Sequence, residues 1–122
     1  KYEKRIPIAR ENIRRAGKED CITLIEGDAL EVMAGLEPGY DFVFMDAAKG
    51  QYIHFLPEVL RLLKKGGLMP LCIYSGGDTG FQERDATLAF IRQLDPHKYL
   101  VFQSEYVNRP NDPPIPVLII KL

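Results

Sequence analysis

"YDFVFMDAAKGQY", residues 40–52, sets a run of apolar side chains against an acid, a lysine and a glycine within thirteen positions. Phe42, Val43, Phe44 and Met45 follow one another without polar alternation, which predicts a strand covered by helices on both faces. Asp46 closes the run. In open α/β sheets ligands gather outside the carboxyl ends of the strands, so a carboxylate at this place faces the usual site. It also suits a cap for the turn or the next helix, and position alone leaves both roles open.

On the amino-terminal side, Pro7, Ile8, Ala9, Asn12, Ile13 and Ala16 follow a helical pattern that Gly17 stops. A short strand is expected over 22–26, a turn at Gly27 and a short helix from Asp28. The strand over 41–46 comes next. On the carboxyl-terminal side, Ile53, Leu56, Leu60 and Leu63 fall on one helical face, with Pro57 predicting a kink or a late start. Gly66 and Gly67 are expected to end that helix and lead into a strand reaching Ile73, weakened by Pro70, which has no N–H to donate. The loop "YSGGDTG" and a helix over 82–94 follow. A strand over 99–107, a proline-rich loop and a last strand over 117–120 then form an antiparallel hairpin. The fold class is therefore α/β, a mostly parallel sheet with a terminal antiparallel hairpin.

The chain has 122 residues, 46% of them hydrophobic and 27% charged, which suits one ordinary globular domain. No apolar run approaches the roughly 18 residues of a membrane span and no signal-peptide pattern opens the chain, so a cytoplasmic location away from membranes is the expectation. Cys21 and Cys72 match no metal or redox spacing and predict reduced, buried thiols. The net charge of −1 hides an asymmetry, because residues 1–18 carry +5. Such a segment is either a solvated helix face or a contact for nucleic-acid phosphates. His54 and His97 read as ordinary surface residues.

Four stretches taken together carry a resemblance: "AxxNIxxAG" (9–17), "EGDAL" (26–30), "YDFVFMDAAKGQY" (40–52) and "LLKKGG" (62–67). They resemble the S-adenosylmethionine-dependent O-methyltransferases of the catechol and caffeoyl-CoA type, and within these the bacterial branch that includes the tRNA 5-hydroxyuridine methyltransferase. The resemblance implies a Rossmann-like class I sheet, S-adenosylmethionine as cofactor, and a hydroxyl-bearing acceptor, either a tRNA hydroxyuridine or a small phenol. Carried over by position, Asp28 and Ala29, after the turn at Gly27, read the adenine ring. Asp46 stands at the methionine end of the cofactor and at a metal, and Lys49 is the general base. Plainer roles remain beside these: Asp28 as a helix cap, Lys49 as a surface lysine.

Oxygen ligands would select Mg²⁺ or a similar hard ion. The Asp-Asn pair that completes such a site in the family falls here on Cys72 and Ile73, and neither suits a hard cation; Asp78 lies in the loop beyond. The family also opens with a strand, a glycine-rich cofactor turn, a helix and a second strand that have no counterpart here. The expectation is one partial methyltransferase domain over 1–122, in first place a piece of a longer enzyme, otherwise completed by exchange with another copy as a homo-oligomer or rearranged in its strands. The alternative is a non-catalytic methyltransferase-like module acting in oligomerisation or binding.

Overall fold

The computed structural model describes residues 3–47, 50–77 and 80–122, grouped in two compact units, Lys1–Val32 and Met33–Leu122. In the first unit, α1 spans Arg5–Arg15. It starts two residues before Pro7, and this is harmless because the first four N–H groups of a helix have no partner inside it. Gly17, at φ +64°, reverses the chain as predicted, and the Lys18 N–H reaches back to the Ile13 carbonyl at 3.2 Å.

The strand expected over 22–26 does not form. A strand persists only where a neighbour takes its N–H and C=O groups, and no described strand pairs with this segment. Ile22 and Ile25 are consequently exposed. After Gly27, Asp28 starts α2 (Ala29–Ala34) by accepting the N–H groups of Leu30 and Glu31 on Oδ1, at 3.0 and 3.2 Å.

The second unit is a four-stranded mixed sheet in the order β1-β2-β4-β3, built from β1 (Tyr40–Phe42), β2 (Leu63–Ile73), β3 (Tyr99–Gln103) and β4 (Ile115–Lys121). β1 runs parallel to β2, and β4 lies antiparallel between β2 and β3, so the terminal hairpin stands as expected. Helices α3 (Tyr52–Leu62) and α4 (Gly80–Arg92) pack on one face. Leu56, Val59, Leu60, Leu88 and Ile91 meet Met69, Leu71, Val117 and Ile119 there. The period-3.6 pattern of α3 and the period-2 pattern of β2 and β4 thus point at one another.

β1 is half the length expected of it. Its last bond to β2 runs from the Val43 N–H to the Leu68 carbonyl at 3.1 Å. In a parallel ladder the next bond would run from the N–H of residue 70 back to the Val43 carbonyl, and Pro70 has none. The strand is not covered on both faces either: Val43 and Met45 pack against the core, whereas Phe42 is 54% and Phe44 71% exposed. The bare face continues across the sheet through Leu100 and Phe102, because α3 and α4 pack on the other side.

The "KKGG" segment does not end a helix. α3 ends at Leu62 and Leu63 is already extended. Between the pairs Tyr40↔Leu63 and Phe42↔Leu68, β2 spends five steps where β1 spends two, so Lys64 to Gly67 form a bulge inside the strand. Lys64 pairs with Asp41 across it and holds that carboxyl below the usual range. Beside the bulge, the Lys121 ammonium donates to the carbonyls of Leu60 and Leu63 at 3.0 and 2.8 Å, closing the carboxyl end of α3.

Candidate functional site

The carboxyl ends of β1 and β2 open into a cavity of about 190 Å³. Four elements supply the side chains that define its chemistry. Asp46 follows β1, and Val43 and Met45 anchor that approach in the core. Tyr52 opens α3, Cys72 and Tyr74 lie at and just past the end of β2, and Glu83 and Thr87 project from α4. Glu83 and Thr87 are four residues apart and therefore share a helical face.

The electrostatics are of one sign. No lysine or arginine is among the described lining residues. Burial pushes the Tyr52 hydroxyl above the usual phenol range, and the charges of Asp46, Glu83 and Cys72 push it further in the same direction. A hydrogen bond to Cys72 does the same for Tyr74. Glu83 Oε1 is shut off from solvent and has no hydrogen-bond partner among the described residues.

Of the candidate ligand positions singled out in the sequence, Asp46, Cys72 and Ile73 line this cavity. Asp28, Ala29 and Gly27 belong to the first unit, where Asp28 acts as the cap of α2. Gly27 sits at φ +146°, and a Cβ there would meet Val32 Cγ2 at 3.1 Å. Lys49 and Asp78 lie outside the described residues. His54 and His97 are on the surface, as expected.

The thiols are not buried as predicted. Cys21 sits in the turn after α1, with its sulfur 3.6 Å from the Lys18 carbonyl, and both cysteines are exposed. Cys72 alternates with Leu71 and Ile73 onto the bare face of the sheet, so the burial expected of a strand cysteine does not apply. The same alternation separates the two positions at which the family's metal ligands were sought. Ile73 packs in the core, Cys72 offers a soft sulfur, and among the described residues no group of three His, Cys, Asp or Glu side chains could hold an ion. A hard cation requires several oxygen ligands, so the described donors do not by themselves fit one.

Glu83, Tyr52 and Thr87 were missed by the sequence reading. Glu83 and Thr87 were legible in principle as a spaced pair on a helix entered from a glycine-rich loop. Tyr52 ends the opening stretch but carries no signal of its own.

The family model described as "Putative rRNA methylase" matches residues 38–120, a segment that contains the cavity and all of the sheet except Lys121. The chain belongs to this rRNA methylase family. A solved protein of Clostridium thermocellum with the same description is 29% identical and superposes with a TM-score of 0.80, over 93% of this chain and 64% of that one. An O-methyltransferase of Bacillus cereus, solved with S-adenosylhomocysteine, shares the fold at a TM-score of 0.74 and 21% identity, over 98% of this chain and 59% of that one. Among curated proteins, a caffeoyl-CoA O-methyltransferase of Populus kitakamiensis is 36% identical over 62 residues, 47% of this chain and 26% of the relative. The likeness to O-methyltransferases of the caffeoyl-CoA type is the one the four motifs implied. The chain matches about a quarter of the length of that relative. No helix among the described residues is long and apolar enough to cross a membrane.

Proposed function

We propose that the parent protein of this chain transfers the methyl group of S-adenosylmethionine to a hydroxyl oxygen of an RNA. One observation carries the reading: Asp46, at the carboxyl end of β1, faces the cavity inside the stretch matched by the methylase family. The bound cofactor supplies an electrophilic methyl carbon on a sulfonium. Asp28 uses Oδ1 to cap α2, which leaves its second oxygen to accept from the adenine amine. The Ala29 N–H donates to a ring nitrogen, and Asp46 accepts from the ammonium of the methionine end. Lys49 takes the acceptor's proton as the oxygen bonds to carbon and the carbon–sulfur pair stays on sulfur. No metal enters this scheme. Calorimetric titration of the 122-residue chain with S-adenosylhomocysteine tests it: micromolar binding supports the reading for these residues, and no heat at millimolar ligand shows that they do not form the cofactor pocket by themselves.

The acceptor assignment rests on the family description and on α1, which presents Arg5, Arg10, Arg14 and Arg15. A tRNA hydroxyuridine fits it better than a small phenol, because phosphates match a basic helix. Arg10 and Arg14 are partly occupied by Glu26 and Glu11. With about three phosphates neutralised, single-stranded RNA binding is expected to weaken about twentyfold between about 50 and about 200 mM salt. Affinity unchanged over that range would remove RNA from the assignment.

A second reading, a non-catalytic module that associates with its own copies, is favoured by the bare sheet face at Phe42, Phe44, Leu100 and Phe102. Sedimentation velocity distinguishes it. A dimer that Phe102→Asp dissociates supports this reading, and a monomer at every concentration rejects it.

A further inference from the structure

The Glu83 carboxylate is the least explained group in the cavity. Its Oε1 is buried and has no hydrogen-bond partner among the described residues, a condition that is costly for an acceptor unless a ligand relieves it. Asp46 lines the same cavity, two phenols stand beside the carboxylates, and no cation is contributed by the described lining. The elevated Tyr52 hydroxyl reports the same field, because a further anion is disfavoured there, first by burial and then by Asp46 and Glu83. Such a cavity holds positive charge better than a neutral group of the same shape.

We propose that Glu83 makes the cavity selective for positive charge, and that the charge it accepts is the sulfonium of the bound methyl donor. This rests on the cofactor reading above, in which Asp46 takes the ammonium of the methionine end. Two methylenes join the carbon bearing that ammonium to the sulfur, so a cofactor anchored at Asp46 carries its sulfonium into the same cavity. Methyl transfer leaves the electron pair on sulfur and turns the sulfonium into a neutral thioether, and Glu83 then loses its partner. The contact is present with the methyl donor and absent with the product. Its benefit is exchange of spent cofactor for fresh cofactor, and because the attraction weakens as charge leaves sulfur it does not lower the barrier to transfer.

The test compares two ligands by calorimetry on the 122-residue chain: S-adenosylhomocysteine, neutral at sulfur, and sinefungin, which carries an ammonium-bearing carbon in place of the methylsulfonium. Wild type is expected to bind sinefungin about tenfold more tightly. Glu83→Gln keeps the shape and removes the charge, and should shrink the preference to about twofold or less while S-adenosylhomocysteine affinity stays within about twofold. Glu83→Asp keeps the charge and should keep most of the preference. Equal affinities in wild type, a preference that survives Glu83→Gln, or loss of both ligands in Glu83→Gln would each overturn the assignment. If neither ligand binds wild type, these residues do not form the cofactor pocket and the inference falls with it.

Discussion

Replacing Gly67 with valine is expected to cost about 3 kcal/mol of unfolding free energy, read as a lower urea midpoint at unchanged slope. A Cβ at this position would stand 2.8 Å from the carbonyl oxygens of both Lys64 and Tyr40, and 3.3 Å from that of Asp41. All three are backbone atoms, so no rotamer change relieves the contact. The strain falls where β1 joins β2, and β1 carries Asp46 to the cavity, so ligand binding should fall together with stability. Gly66 is the internal control. It adopts φ +79° but a Cβ there would meet nothing within 4 Å. Gly66→Ala should therefore cost only about 1 kcal/mol, from backbone conformation alone. Equal losses at the two positions would show that the close approach of β1 to Gly67 does not matter for stability.

The second large effect is expected at Asp28, where two roles coincide in one side chain and two substitutions separate them. Asp28→Ala removes the cap from α2 and should cost about 1 kcal/mol of stability. It should also weaken S-adenosylhomocysteine binding about thirtyfold, the value of about one charged hydrogen bond. Asp28→Asn keeps an oxygen that caps the Leu30 and Glu31 N–H groups equally well, so stability should change by only a few tenths of a kcal/mol. Its other terminal atom is a donor, which faces the adenine amine unfavourably. The asparagine variant should thus bind the ligand about as poorly as the alanine variant while unfolding like wild type. Wild-type affinity in Asp28→Asn would reduce Asp28 to the helix cap the structure displays.

Much of the fold was legible because it depends on local chemistry. The apolar stripe of α3, the Gly17 stop, the capping aspartate at residue 28 and the antiparallel hairpin were all written in spacing and turn residues. The failures share one cause. A strand is completed by residues distant in sequence, and periodicity does not reveal whether they are present. The segment 22–26 has the apolar content of a strand and no neighbour to pair with. Residues 43–46 have it too, but Pro70 on the partner ends the ladder after Val43. "KKGG" reads as a helix stop, yet its glycines serve a bulge whose purpose appears only where the Tyr40 carbonyl comes close to Gly67.

The site divides in the same way. Sequence by itself determined the residue types at the ends of the strands: Asp46 after an apolar run, Asp28 after a glycine turn, and a cysteine and an isoleucine where hard-metal ligands would be needed. These follow from position along one chain. Only the tertiary structure decided that Tyr52, Glu83 and Thr87 share the cavity of Asp46, that one face of the sheet stays bare, and that both cysteines are exposed. Glu83 lies 37 positions beyond Asp46 in the sequence, and the two face one cavity because α4 packs back over the sheet on Leu88 and Ile91. Burial and electrostatic field are properties of what surrounds a group in space, and no local pattern encodes them.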